Sequence, residues 1–386
     1  MKKKLAIITL PLRNYNYGGI LQNYALQQYL LKNFEVEVET VNVEYPKPEL
    51  SFLLNLKTKL YKLVYFNRDK IYKEINRNLE NFIQTKIRLT KPVCNTHQFQ
   101  DLVVKRKYSI LVSGSDQVWK PKYILEYFWE LMFLSISNRN SNLKKAAYAA
   151  SFGEDFWRES PDFTKRVQLC LKEFYKISVR ENSGLSILKE TFGVEGVQHL
   201  DPTLLLNKED YLALFPSVTQ NKKLKSRKIL YAYILDSTSE KRRILENLAQ
   251  SLDARLVNVE LKADELMYLN RDNYKDFIDI KAESVEDWLA SFYQADYVIT
   301  DSFHGTVFSI LFNKPFVALG NQQRGMTRFD SLLSCLCLKE RLCTDMEEER
   351  IQDILQRPID YIKVKEIVKL EQRKAYEYWS NIINGN

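Results

Sequence analysis

Short apolar runs rich in β-branched residues alternate with longer segments of helical spacing along most of this 386-residue chain. This alternation is typical of parallel β-sheets whose faces are covered by helices. Predicted strands lie at 5–10, 36–43, 108–112, 146–151 and 177–181 in the first half, and at 228–235, 255–261, 295–300 and 315–319 in the second. We therefore predict an α/β fold.

The chain is longer than one hydrophobic core usually organises, which favours two domains. We predict two Rossmann-like domains that face each other, over residues 1–205 and 206–365, with a polar and basic linker region within 201–228. A C-terminal amphipathic helix, assigned to residues 366–386, is predicted to cross back onto the first domain. Folds of this kind bind ligands in the cleft, at the carboxyl ends of the strands.

Neither a signal peptide nor a membrane span is predicted. The apolar run after the N-terminal lysines ends at Pro11 and Arg13, which is too short for a signal peptide and suits a buried first strand. No stretch approaches the ~18 apolar residues that a spanning helix needs.

An odd number of cysteines without a zinc-type pair favours reduced thiols in a cytoplasmic protein, and we predict no metal site and no bound cofactor. The cysteines are at positions 94, 170, 335, 337 and 343.

The positive charge is concentrated in one segment. The chain has a formal net charge of +8, and residues 57–91 contain ten Lys or Arg against three acidic residues. Apolar residues recur there at helical spacing, so we predict a basic amphipathic helical insertion at about 50–90. Its cationic face is either simply solvated or contacts an anionic membrane surface or a phosphate-linked acceptor. No nucleic-acid-binding motif accompanies the charge.

Two strand-to-loop junctions in the first half carry groups suited to a hydroxyl-rich ligand. After the first strand, Gly18 and Gly19 follow Asn16, and glycines before a helix permit close approach of a ligand to the helix N-terminus. After the strand at 108–112 the chain reads Ser115, Asp116, Gln117 and Trp119. Sugar recognition needs such hydrogen-bonding groups beside an aromatic face, although capping and turn roles remain the alternative.

Two further junctions carry groups suited to an anion. Arg180 ends the strand at 177–181, where its guanidinium can hold a carboxylate or phosphate with paired hydrogen bonds, or form a salt bridge with Glu181. The strand ending at Thr300 leads through Ser302 into an apolar helix that begins near His304. The positive end of that helix is expected to meet a phosphate. Free amides at Gly305 and Thr306 and the cations Arg324 and Arg328 are expected to contribute.

Several of these segments resemble the polysaccharide pyruvyl transferase family. The resemblance is carried by GSDQVW, the SVRE strand end, HLDPTLLL and ADYVITDSFHGTVFSILFNKPFVAL, and it extends over nearly the whole chain. DSFHGT, which contains His304, is its most specific part. Many members have Asn-x-Gly-Asp in the first glycine loop, whereas this chain reads Asn16-Tyr17-Gly18-Gly19.

The resemblance implies a GT-B-like fold and the transfer of pyruvate from phosphoenolpyruvate to a galactose-like sugar of a bacterial surface polysaccharide, such as a capsule or exopolysaccharide. It further implies that His304 is the catalytic or phosphate-contacting residue and that Arg180 anchors phosphoenolpyruvate. We expect the donor at Arg180, Ser302, His304, Gly305, Thr306, Arg324 and Arg328. We expect the saccharide acceptor at Asn16, Gly18, Gly19, Ser115, Asp116, Gln117 and Trp119. A lipid-linked acceptor is one alternative.

Two alternative functions stay open at this point. A nucleotide-sugar glycosyltransferase of the same two-domain form would bind UDP or GDP in preference to phosphoenolpyruvate. A non-catalytic glycan- or membrane-binding protein would need neither Arg180 nor His304. If the protein acts on a lipid-linked acceptor, it would work peripherally at the inner face of the membrane, with residues 57–91 in contact.

Overall fold

The computed structural model describes residues 2–45, 73–124, 128–136, 142–217, 227–260, 283–320 and 325–385. Within these ranges the chain forms two entirely parallel sheets flanked by helices. All nine strands predicted from the sequence are present, and the two-domain α/β architecture is confirmed.

The first sheet has seven strands in the order β3-β2-β1-β4-β5-β6-β7. The strands are β1 Lys3–Ile8, β2 Val36–Val43, β3 Leu89–Val93, β4 Ile110–Ser113, β5 Lys144–Ala150, β6 Lys176–Val179 and β7 Val197–Gln198. The helices of this half are α1 Tyr17–Asn33, α2 Arg77–Lys86, α3 Thr96–Arg106, α4 Pro121–Ile124, α5 Trp129–Met132, α6 Pro161–Lys172, α7 Asn182–Ser186 and α8 Lys208–Leu212.

The second sheet has five strands in the order β12-β11-β10-β8-β9. The strands are β8 Lys228–Ile234, β9 Ala254–Glu260, β10 Tyr297–Thr300, β11 Phe316–Leu319 and β12 Leu342–Cys343. The helices are α9 Ser239–Ser251, α10 Val285–Gln294, α11 Phe303–Leu311, α12 Met326–Cys335, α13 Glu348–Gln356 and α14 Tyr361–Asn384.

Each sheet is buried on both faces, which explains the nearly continuous apolar runs of its strands. In β1, Leu5 and Ile7 point to one core and Ala6 and Ile8 to another, because successive side chains of a strand face opposite sides. The inner faces of both sheets share a single core that runs from one domain into the other. The two domains are therefore joined by apolar packing as well as by the chain.

The last helix, α14, crosses from the second domain to the first. Near its start, Tyr361 contacts the backbone of the second domain at Lys314. Further along, Tyr378 donates a hydrogen bond to the carbonyl of Ala147 in β5 at 2.6 Å, and Trp379 is fully buried in the shared core. The helix that the sequence predicts to cross back thus packs on both sheets.

One segment differs from the sequence-based interpretation, and another lies partly outside the described residues. The region 201–228 is not simply a linker, because its start is a buried 3-10 helix, Pro202–Leu205, and Tyr211 is fully buried. Of the predicted basic helical insertion at about 50–90, residues 50–72 lie outside the described residues. Residues 77–86 form α2, whereas residues 89 and 90 begin strand β3 and are not helical. Among helices in the described ranges, none combines the length and hydropathy that crossing a bilayer requires.

His199 shows how tightly the junction between α14 and the first sheet is packed. Its ring lies against Tyr148 and Tyr378, with centroid separations of 5.5 and 4.8 Å, and Nδ1 lies 2.8 Å from the hydroxyl of Ser178. Burial lowers the pKa of His199 to about 4. The folded protein therefore holds this imidazole neutral at pH values where an exposed histidine is charged.

Acidification should consequently destabilise the fold through His199. Between pH ~6.5 and 4 only the unfolded chain takes up this proton, so the free energy of unfolding falls as the pH falls, by about 3 kcal/mol from this residue. Urea denaturation across that window should show a smaller loss for His199→Gln than for the wild type. His97→Gln is the matched control, because that side chain is exposed. Equal pH dependence of wild type and His199→Gln would contradict this interpretation.

Candidate active site

A cavity of about 410 Å³ lies between the domains, at the carboxyl ends of the central strands of both sheets. This position agrees with the cleft predicted for the ligands, and the volume is within the ~300–1,000 Å³ typical of small-molecule sites. The first domain contributes Thr9, Leu10, Pro11, Leu12, Asn14, Asn16, Gly19, Tyr45, Asp116, Gln117, Lys122 and Tyr123. The second domain contributes Leu235, Asp301, Ser302, Phe303, His304 and Arg328.

His304 enters the cavity because of how β10 connects to α11. Asp301 is buried and accepts hydrogen bonds from the backbone N–H groups of Leu235 and Asp236, at 2.6 and 3.1 Å, which ties the turn to the end of β8. Ser302 caps α11 by accepting a hydrogen bond from the N–H of Gly305. These contacts set the direction of the first helical turn, so His304 lines the cavity.

A buried carboxylate from the first domain lies beside His304. Nε2 of His304 is 3.5 Å from Oδ2 of Asp201, whose side chain has no exposed surface. The other carboxylate oxygen, Oδ1, accepts hydrogen bonds from the N–H and the hydroxyl of Thr203, at 3.0 and 2.7 Å. Asp201 is thus held rigidly, and it favours the tautomer of His304 that carries its proton on Nε2.

Arg180 completes this cluster, and its role differs from the one predicted. Its guanidinium is buried and donates to Asp201 at 2.7 Å, to Asp116 at 3.3 Å and to Glu181 at 3.3 Å. It also lies 4.6 Å from the ring centroid of Phe303. Its donors point at carboxylates of the protein and it does not line the cavity, so the structure does not support the prediction that Arg180 contacts phosphoenolpyruvate directly.

The electrostatics of the cluster follow from this arrangement. Burial alone would raise the pKa of Asp201, but His304, and then Arg180 and Thr203, outweigh burial and hold it well below its usual range. Burial alone would lower the pKa of Arg180, but Glu181, Asp201 and Asp116 together raise it. Both groups therefore stay charged at all physiological pH values, and Asp201 is a permanent anion behind His304.

Gly18 makes the approach of the two domains possible. A Cβ atom at this position would lie 1.9 Å from Nδ1 of His304, well inside any allowed contact. The sequence predicts that an acceptor ligand approaches this glycine. In the structure the imidazole of the opposite domain lies there instead, and Gly18 does not line the cavity. Gly19 differs, because it lines the cavity and a Cβ there would have no neighbour nearer than 3.8 Å.

The N–H groups expected to bind phosphate at the start of α11 are already used. The N–H of Gly305 is donated to Oγ of Ser302 at 3.2 Å, and that of Thr306 to the carbonyl of Ser302 at 3.0 Å. Neither residue lines the cavity, and Gly305 packs against Thr300 where any Cβ would clash. Both are structural, which corrects their assignment as ligands of the donor.

Two residues assigned to the acceptor are also structural. Ser115 is buried, and its hydroxyl donates to the carbonyl of Ala149 at 2.7 Å. Trp119 is buried in the outer core of the first domain, where it stacks on Phe133 at 5.4 Å and donates its indole N–H to the carbonyl of Met132. Its indole face therefore cannot pack on a sugar in the cavity.

The remaining predicted residues do meet in the cavity. Asn16, Gly19, Asp116 and Gln117 line it from the first domain, and Ser302, His304 and Arg328 line it from the second. Arg324 lies outside the described residues.

Arg328 and Gln117 add polar character to this site. The side chain of Gln117 is almost fully buried, and within the described part of the chain its Nε2 has no hydrogen-bond partner. Arg328 lies 5.6 Å from the ring of Phe303, and burial together with the nearby Arg180 lowers its pKa.

Asp201 is the main residue that sequence reasoning missed. It belongs to HLDPTLLL, which the sequence analysis assigned to the linker region. An aspartate directly before Pro202 is a helix-capping signal, and its carboxylate does cap the 3-10 helix through Thr203. That signal predicts the local turn but not the contacts with Arg180 and His304.

No group of three or more His, Cys, Asp or Glu side chains is arranged to hold a metal ion anywhere in the described ranges.

Comparison with known proteins supports the family indicated by the motifs. The family model for polysaccharide pyruvyl transferase matches residues 16–323. The chain belongs to this family. The matched span includes Asn16, Arg180, Asp201 and His304. A search of curated proteins finds no match.

Solved structures share the fold of this family member at low sequence identity. UDP-GlcNAc 2-epimerase from Neisseria meningitidis, bound to UDP-GlcNAc, aligns over 100% of both chains with a TM-score of 0.55 and 9% identity. MnaA of S. aureus, solved with UDP, covers 100% of this chain and 98% of its own, with a TM-score of 0.53 and 12% identity. A glycosyltransferase from Rickettsia africae aligns over 100% of both chains, with a TM-score of 0.51 and 12% identity. The GT-B-like fold is therefore confirmed.

The contact between Gly18 and His304 can be tested with a matched pair of variants. Gly18→Ala should destabilise the protein by about 1–3 kcal/mol, because the new methyl group overpacks the domain interface. Gly19→Ala should be neutral or slightly stabilising, since the methyl group meets only ordinary contacts and alanine favours helix. Thermal unfolding of both variants checks this, and equal effects on the two would disprove the interdomain contact.

Proposed function

We propose that this protein transfers the pyruvyl group of phosphoenolpyruvate to a galactose-like saccharide of a bacterial surface polysaccharide or its precursor, forming a ketal and releasing phosphate. The observation that carries the proposal is His304 lining a cavity between the domains, backed by the buried Asp201, in a chain that belongs to the polysaccharide pyruvyl transferase family.

The donor binds beside His304 and Arg328 of the second domain, where Lys122 and Gln117 of the first domain also line the cavity. Phosphoenolpyruvate carries a carboxylate and a phosphate of about −1.5 to −2 charge near pH 7. Arg328 lines the cavity with a buried guanidinium, and Lys122 lines it from the opposite domain. The amide of Gln117 supplies a hydrogen-bond donor. These groups offset the ligand charge without help from Arg180.

The reaction is a proton-assisted addition. His304 supplies a proton to the methylene carbon, which becomes the methyl group and leaves an oxocarbenium-like carbon beside it. One saccharide hydroxyl adds to that carbon and loses its proton. The carbon–oxygen bond to phosphate then breaks, phosphate departs with a proton, and a second hydroxyl closes the ketal as it loses its own proton. No redox step occurs, and we propose that no cofactor is required.

Asp201 makes His304 suitable for this role. A permanently charged carboxylate beside Nε2 orients the ring. Arg180 holds that carboxylate in place through the 2.7 Å hydrogen bond. The predicted membrane contact of residues 57–91 and a lipid-linked acceptor stay predictions, since residues 57–72 lie outside the described ranges.

The reaction is tested by incubating the protein with phosphoenolpyruvate and a panel of aryl glycosides while inorganic phosphate is measured. We expect acceptor-dependent phosphate release with a galactoside and the formation of its pyruvate ketal. His304→Gln should lower kcat by ~10²-fold or more, as expected for loss of a general acid. His97→Gln should leave kcat unchanged, because His97 is exposed and does not line the cavity.

Two outcomes would contradict the proposal. One, which would overturn the role of His304 and not the reaction, is acceptor-dependent phosphate release that survives His304→Gln at the wild-type rate. The other is a thermal-shift screen in which UDP or GDP stabilises the protein and phosphoenolpyruvate does not, which would favour a nucleotide-sugar glycosyltransferase.

Arg328 should govern affinity for the donor. Arg328→Ala should raise the KM for phosphoenolpyruvate by about 30-fold or more, equivalent to ~2 kcal/mol, and leave the KM for the saccharide unchanged. Arg350→Ala is the control, because that guanidinium is about half exposed and pairs with Asp345 away from the cavity. An equal rise in both KM values would instead indicate a general loss of structure.

A further inference from the structure

Two exposed tyrosines line the candidate active site. Ten large hydrophobic side chains are exposed among the described residues, and only Tyr45 and Tyr123 of these belong to the cavity wall. Their exposed fractions are 49% and 45%. Tyr45 follows the end of β2, and Tyr123 lies in the short helix α4. Covering exposed aromatic surface at a cavity with a ligand stabilises the complex.

Both rings are supported by neighbours. The ring of Tyr45 packs against the buried Phe128 with a centroid separation of 5.0 Å. The ammonium of Lys120 lies 5.3 Å from the ring of Tyr123, and Lys120 is itself buried and lies 3.7 Å from Glu154. Rings that are held in place before a ligand arrives lose little conformational entropy on binding.

Hydrogen-bonding groups from the same domain lie in the same wall. Asn16 and Asp116 line the cavity together with both tyrosines. Oδ2 of Asp116 is 3.9 Å from the position that a Cβ of residue 19 would occupy, so the glycine leaves room in front of this carboxylate. A carboxylate and an amide beside aromatic rings match the hydroxyls and the C–H face of a sugar.

The two walls of the cavity thus differ in chemistry. His304 and Arg328 belong to the second domain, whereas Tyr45, Tyr123 and Asp116 belong to the first. Phosphoenolpyruvate has no extended apolar face that could pack on the rings of Tyr45 and Tyr123. A pyranose ring has both an apolar face and hydroxyl groups.

We propose that Tyr45 and Tyr123 form the acceptor subsite and hold a saccharide ring, with Asp116 and Asn16 as partners of its hydroxyls. The inference rests on the proposed function only in taking a saccharide as the acceptor. Trp119, the aromatic residue that the sequence indicated for this task, is buried elsewhere.

The subsite is tested on the full-length protein with an array of immobilised bacterial glycans and oligosaccharides, probed with fluorescently labelled protein. Wild type should bind galactose-containing glycans. Tyr45→Ala and Tyr123→Ala should each weaken binding by about tenfold, whereas Tyr45→Phe and Tyr123→Phe should retain most of it because the ring face is kept. Tyr376→Ala is the matched control, since Tyr376 is similarly exposed at 47% but lies on α14, outside this cavity.

Phosphoenolpyruvate binding, measured by calorimetry, separates this inference from the proposed reaction. The tyrosine variants should bind phosphoenolpyruvate like wild type, which also shows that they are folded. Wild-type glycan binding that is lost in the alanine variants supports the subsite even if no pyruvyl transfer is found. Unchanged glycan binding in both alanine variants, no glycan binding by wild type, or binding only to anionic lipid vesicles would overturn it.

Discussion

The buried carboxylate of Asp201 is the constraint on which the candidate site depends. A charge without solvent contact is tolerated only when it is paired and hydrogen-bonded. Arg180, directly after β6, and Thr203 from its own turn satisfy most of that requirement, and His304 from the other domain lies at 3.5 Å. One of these partners comes from the second domain. Burying the carboxylate of Asp201 therefore costs less free energy when the two domains are in contact and form the cleft.

The apolar structure reinforces the same arrangement. The inner faces of both sheets and the end of α14 share one core, and Tyr17 of α1 stacks on Trp288 of α10 at 5.2 Å. Gly18, next to Tyr17, admits the His304 ring at the adjacent turn. The cavity therefore forms where a continuous apolar interface ends and a charged cluster begins, with His304 and Arg328 on one domain and the exposed rings of Tyr45 and Tyr123 on the other.

The fold was largely predictable because burial on both faces leaves a strong signal in each central strand. The three strands that the sequence analysis missed are at sheet edges: β3 contains Lys91 and Pro92, and β7 and β12 have only two residues each. Edge strands tolerate proline and charge because one side makes no ladder hydrogen bonds. The position of His304 was also predictable, because an apolar strand followed by an apolar helix places His304 in the first turn of that helix, at the carboxyl end of the strand.

By itself, the sequence determined the parallel α/β class, the strand ends that carry polar residues and hence the segments that border the cleft, because local apolar periodicity encodes these features. Only the tertiary structure decided which side chains face the cavity. Arg180 is paired through residues 21 and 64 positions away, Trp119 is enclosed by Phe133 and Phe152, and Tyr45 is left exposed. Whether a polar or aromatic group is available to a ligand depends on partners distant along the chain, and local patterns contain no information about them.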